Sequence, residues 1–143
     1  MKWKEEYSVG LQEIDDQHMK LLDMFTAVEK SIESAESWND VHIGLMGLKS
    51  SASIHFTVEQ ALMRMFGFDG LARHIVTHQY FFDKLAEMER RSLGNSTKHE
   101  TVEFLADWFK DHMCTTDKEY ADYILSGAAV VRSKTTSAAV LEP

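Results

Sequence analysis

The sequence predicts an all-α protein: an up-down-up-down antiparallel four-helix bundle with an N-terminal arm packed on it. Three observations carry that expectation. Apolar residues recur at spacings of three and four in four separate stretches. Short connections join the stretches, which favours antiparallel neighbours. The chain holds a single proline, at its last position, so none interrupts a long helix.

The first helix is expected over residues 16–36, with the seam His18, Leu21, Phe25, Val28, Ile32 and with Asp15 as its cap. The second, over 38–66, carries Val41, Leu45, Leu48, Ala52, His55, Glu59, Leu62 and Phe66 on one face, and SWND (Ser37–Asp40) reads as its capping box. Gly44 and Gly47 each cost this helix about 1 kcal/mol of propensity, a cost that close helix contact would explain. GFDG, with Asp69 as N-cap, leads into the third helix over 70–92, whose seam is Leu71, His74, His78, Phe81, Leu85, Met88 and whose stop is Gly94 and Asn95. The fourth, over 97–126, opens at TKHE (Thr97–Glu100). It carries Val102, Leu105, Trp108 and His112, falters at Thr115 and Thr116, and resumes one residue out of phase with Asp117, Ala121 and Ile124. His112 and Asp117 are five apart, about 140° around an ideal helix. An inserted residue, a π-bulge, would return them to one face.

Residues 1–14 lack a helical period, but Trp3, Tyr7, Val9 and Leu11 are too apolar for a free arm. The domain is therefore expected to comprise an arm (1–14) and a bundle (15–127), with 128–143, AAVVRSKTTSAAVLEP, as a flexible C-terminal tail. No internal repeat or second domain is visible. Apolar residues make up 44% and charged residues 27% of the chain, as in ordinary soluble domains. The net charge of −8 disfavours nucleic acid and anionic membranes. No apolar run approaches the ~20 residues of a membrane span, and MKWKEEYSVG lacks the apolar core of a secretory leader. A cytoplasmic monomer is expected. The single cysteine, Cys114, excludes an internal disulfide and a cysteine-based zinc site.

Seven polar residues occupy seam positions: His18, His55, Glu59, His74, His78, His112 and Asp117. A buried unpaired carboxylate costs several kcal/mol and a buried unpaired imidazole about 1–3 kcal/mol. Together they would consume most of a domain's ~5–15 kcal/mol of net stability. A lone histidine on an apolar face is more often a hydrogen-bonded core residue. Five in register, joined by two acids, ask for a cation. Imidazoles and carboxylates suit iron, manganese or zinc, and seven ligands exceed one tetrahedral zinc site. They fit two octahedral ions in which Glu59 and Asp117 bridge and the histidines are terminal. With one solvent-derived bridge, a single coordination position stays open. On a reduced di-iron pair that position would take dioxygen.

Four motifs carry a family resemblance: W…EYSVGL…IDDQH (Trp3 to His18), HFTVE (His55 to Glu59), HIVTH (His74 to His78) and WFKDHMCTTDKEY (Trp108 to Tyr120). Over residues 3–124 the chain resembles the hemerythrin family, in its single-domain bacterial branch, with every ligand position filled in order. The resemblance implies reversible dioxygen binding at a non-haem centre of two iron ions with an oxo or hydroxo bridge. It implies His74, His78 and His112 on a six-coordinate iron, and His18 and His55 on the five-coordinate iron that takes dioxygen. Gln60 stands where the family often has a second acid, and is expected to point away from the metals. Met113 stands where the family usually has isoleucine or leucine, and is expected to line the oxygen pocket. Trp108, one turn before His112, and Phe82, one turn after His78, are the other pocket candidates.

Competing chemistries fit less well. HIVTH lacks the glutamate of a His-Glu-x-x-His hydrolase, and the chain lacks the paired Glu-x-x-His motifs of ferritin-like oxidases. An oxygen carrier, store or delivery protein is the leading expectation, without catalytic residues. The alternative is a module sensing oxygen, nitric oxide or redox state through a partner, with small anions as further ligands and weak peroxidase chemistry as a third reading.

Overall fold

The four seams become four rods around a shared interior. In the computed structural model, which describes residues 1–34, 37–91 and 95–127, a 3-10 turn (Glu5–Tyr7) precedes α1 (Gln12–Glu33), α2 (Trp38–Met65), α3 (Leu71–Arg91) and α4 (Asn95–Asp111). A π-helical turn over His112–Thr116 then joins α4 to α5 (Asp117–Leu125), so the fourth rod is one helix with a one-residue insertion. The expected tail over 128–143, Gly94, and the side chains of Met88, Thr97 and Val102 lie outside the described residues.

Side-chain pairs show the direction of each rod. Between α1 and α2, Gln17 meets His55, Met24 faces Gly47 and Val28 faces Gly44. Between α2 and α3, Lys49 pairs with Glu89, Phe56 with Phe82 and Gln60 with His78. Phe81 meets Trp108 and Thr77 meets His112, while Phe25 meets Phe109 and His18 meets Asp117. In every pair one number rises as the other falls, so each rod is antiparallel to both neighbours.

Local chemistry sets most boundaries. Ser37 Oγ accepts the Asp40 N–H at 3.3 Å, which caps α2 as expected. The end of α2 is a Schellman turn. Gly67 adopts φ 66°, its N–H reaches Arg64 O at 3.2 Å, and Phe68 N–H reaches Met63 O at 2.9 Å.

Three expectations need correction. α1 starts at Gln12, not 16, because its apolar stripe extends back one turn to the fully buried Ile14. Asp15 is no cap: it takes the Val9 N–H at 2.8 Å and the Ser8 hydroxyl at 2.6 Å, folding the arm onto the helix. α4 starts at Asn95, so Asn95 opens that rod and TKHE lies inside its first turns.

Among the described residues the apolar side chains form two cores. The larger, toward the α1–α2 turn, includes Tyr7, Leu21, Phe25, Val28, Leu45, Leu48, Phe81, Leu85, Leu105 and Met113. The smaller contains Val9, Ile14, Met63, Tyr120 and Ala121. The arm contributes Tyr7 to one and Val9 to the other. At or near the boundary between them, on all four rods, lie the seven polar seam residues. Among the described residues no helix is long and apolar enough to cross a membrane.

Candidate metal centre

His18, His55, Glu59, His74, His78, His112 and Asp117 are all buried, with 0–3% exposure. The bundle brings their polar atoms into two groups, His18–His55–Glu59–Asp117 and Glu59–His74–His78–His112–Asp117, which share the two carboxylates. The π-turn allows this. The Asp117 N–H bonds back to His112 O, five residues earlier, so both side chains face the interior despite their spacing.

Each carboxylate offers one oxygen to each group. Asp117 Oδ2 lies 3.0 Å from His18 Nε2, while Oδ1 lies 2.8 Å from His112 Nε2 and 3.2 Å from His74 Nε2. Glu59 Oε1 lies 3.4 Å from His55 Nε2, and Oε2 lies 3.1, 3.8 and 4.0 Å from the Nε2 atoms of His78, His74 and His112. His78 and His112 turn their Nε2 atoms toward each other at 3.1 Å.

The donor set fits cations. Donors sharing an ion at ~2.1 Å stand about 3.0 Å apart at right angles and about 4.2 Å apart when opposite, the range seen in the larger group. Many of the close pairs do not align as hydrogen bonds: among the described residues, His18 Nε2, His55 Nε2, His74 Nε2, Glu59 Oε2 and both Asp117 oxygens have no hydrogen-bond partner. Such atoms converge on common points rather than on each other, and unsatisfied they would be costly.

The electrostatics of the protein groups agree. Burial and Asp117 push Glu59 upward, yet His55, His74 and His78 outweigh them and hold it down to about 2. Burial likewise raises Asp117, but His112 first and then His18 and His74 hold it well below the usual carboxylate range. Burial lowers His55 to about 4 despite Glu59. For His74 burial is outweighed by Asp117 and Glu59, which raise it to about 9. Two ionised carboxylates in a dry interior form a negative site that a cation would neutralise.

Among the described residues, four further polar side chains bond to this centre. The Tyr120 hydroxyl donates to Glu59 Oε1 at 2.7 Å. Gln17 Oε1 lies 2.8 Å from His55 Nδ1, the Gln60 amide 3.1 Å from His78 Nδ1, and Thr77 Oγ1 3.3 Å from His112 Nδ1. Gln60 thus stays off the inner donor atoms, as expected, but it bonds the outer nitrogen of His78 across the α2–α3 interface. Gln17, next to His18 in sequence, and Thr77, next to His78, gave no periodic signal, because they flank the seams rather than occupy them.

Trp108 and Phe82 stand on the His74–His78–His112 side. Trp108 stacks on His112 at 4.4 Å and 15°. Phe82 packs on Phe56 at 5.5 Å, and Phe56 stacks on His78 at 3.8 Å. Phe109 is the phenylalanine against His18, edge-on at 5.7 Å, and Phe56 also reaches His55 at 5.7 Å. Met113 is fully buried in the larger core.

Residues 9–124 match a family profile described as the hemerythrin HHE cation binding domain. The chain is 25% identical over 126 residues to a bacteriohemerythrin of Clostridium acetobutylicum, covering 84% of this chain and 98% of the relative. It is 27% identical over 119 residues to a bacteriohemerythrin of Methylococcus capsulatus, covering 80% and 88%. A hemerythrin-like protein of Naegleria gruberi is 24% identical over 118 residues, covering 82% and 88%.

Proposed function

The chain belongs to the hemerythrin family, a di-iron oxygen-binding family, and from that premise we propose that it binds dioxygen reversibly, as a carrier or store, at two iron ions. His74, His78 and His112 would hold one ion, His18 and His55 the other, and Glu59 and Asp117 both. The observation that carries this reading is the division of each carboxylate, one oxygen toward each histidine group. Two ferrous ions would supply two electrons and an exchangeable coordination position, the chemistry that reversible dioxygen binding needs.

The chain's own residues supply the rest. Phe56 and Phe109 wall the His18–His55 side, and a dry apolar wall keeps water and stray protons from the reacting atoms. Trp108 and Phe81 close the other side behind His112 and Phe56. The Tyr120 hydroxyl donates a hydrogen bond to Glu59 and fixes that carboxylate's rotation. The Nε2 atoms of the five imidazoles must be free of protons to act as ligands, which leaves the protons on Nδ1.

The test is an iron count together with a visible spectrum of the reduced protein before and after air. Two irons per chain and a charge-transfer band that appears in air and disappears under vacuum are expected. A chain that takes up no iron, or one that colours irreversibly, is not an oxygen carrier. His74→Ala should lose the band and, because metal binding is coupled to folding, lower the melting temperature of the loaded protein.

A further inference from the structure

We propose that Gln17, Gln60 and Thr77 are positioning residues that fix the proton of three imidazoles on Nδ1 and so turn each Nε2 toward the centre. The inference rests on the metal-centre reading above. The three sit on successive rods, and each reaches across one helix interface to the histidine of the next. Gln17 on α1 holds His55 on α2, Gln60 on α2 holds His78 on α3, and Thr77 on α3 holds His112 on the fourth rod. Among the described residues the fourth interface lacks such a contact, since the buried His18 Nδ1 has no hydrogen-bond partner there.

Thr77 shows the logic most directly. Its hydroxyl hydrogen is given to the His74 carbonyl at 2.7 Å. At His112 the same oxygen can then only accept, so His112 Nδ1 must carry the proton and Nε2 the lone pair. Gln17 presents its carbonyl oxygen to His55 Nδ1, with the same result. Gln60 presents its amide nitrogen to His78 Nδ1 in this orientation. A half-turn of the amide presents the oxygen instead, the arrangement that metal bonding at Nε2 requires. All three partners are neutral. They orient the rings without adding negative charge to a site that already holds two carboxylates.

The test uses the full chain loaded with iron(II) and follows metal release into a chelator. Gln60→Leu and Thr77→Val keep the shape and remove the acceptor. Each should release iron about ten- to a hundred-fold faster than wild type. Gln60→Glu and Thr77→Ser, which restore an acceptor, should return release toward the wild-type rate. The metal-free variants should melt alongside metal-free wild type. Wild-type release rates in Gln60→Leu and Thr77→Val would overturn the proposal. So would an equal drop in melting temperature with and without metal, since the role would then be packing alone. A wild-type chain that takes up no iron would instead overturn the reading of the centre.

Discussion

Tyr120 donates its hydroxyl hydrogen to Glu59 Oε1 across 2.7 Å, and neither side chain has any exposure to solvent. Burial and then the charge of Glu59 push the phenol's pKa up, so it remains a donor. A hydrogen bond to a buried charged group contributes about 1.5–3 kcal/mol. Tyr120→Phe should destabilise the metal-free protein by about that amount in urea denaturation. In the iron-loaded protein it should also lower the reduction potential, because Glu59 then gives more electron density to the site. An unchanged potential would show that the phenol does not act through the carboxylate.

The metal-free protein should be most stable near pH 6.5 and lose stability on both sides. His55 falls from 6.5 unfolded to about 4 folded, so its contribution is present above 6.5 and lost as pH drops toward 4. His74 rises from 6.5 to about 9, so its contribution is present below 6.5 and lost as pH climbs through 9. Denaturation midpoints of the chelated protein between pH 4 and 9 would check this. A flat profile would mean that burial does not hold His55 neutral and that the carboxylates do not hold His74 charged.

The two glycines of α2 should part company. A Cβ at Gly47 would sit 3.6 Å from Met24 Cε, an ordinary contact, so Gly47→Ala should stabilise by up to about 1 kcal/mol. A Cβ at Gly44 would sit 3.2 Å from Val28 Cγ2, tighter than side chains normally pack. Gly44→Ala should therefore gain less than Gly47→Ala, or lose. Thermal melts of both variants decide the order.

Asp15→Ala should release the arm. It removes the acceptor for Val9 N–H and for the Ser8 hydroxyl, leaving a buried amide unsatisfied at a cost of about 1–3 kcal/mol. Limited proteolysis should cut the arm near Ser8 in the variant well before wild type. Asp15→Asn, which keeps one carbonyl oxygen, should fall between the two.

The sequence carried most of the fold because four seams with polar intrusions leave few ways to bury both kinds of residue. The interruption between His112 and Asp117 was legible for the same reason: two polar side chains five apart can share an interior only if the helix gains a residue. What the sequence left obscure depends on rotation about a helix axis. Gln60 follows Glu59 by one position and could have faced solvent; the roll of α2 decides that it faces His78. Trp108 and Phe82 were placed at the right height by their spacing from His112 and His78, but spacing does not say which histidine group they cover. The start of α1 was missed because Asp15 has the chemistry of a cap and uses it on the arm instead.

The ionic layer also parts the hydrocarbon of this bundle into an upper and a lower store, and the arm sends Tyr7 into one and Val9 into the other. Cooperative melting needs the two stores to sense one another. With ions in place, the four rods are tied across the divide and calorimetry should see one transition whose van't Hoff and measured enthalpies agree. Stripped of ions, the smaller store around Ile14, Met63 and Tyr120 has little to hold it to the larger, and it should melt first. The metal would then be the element that makes one molecule thermodynamically out of two.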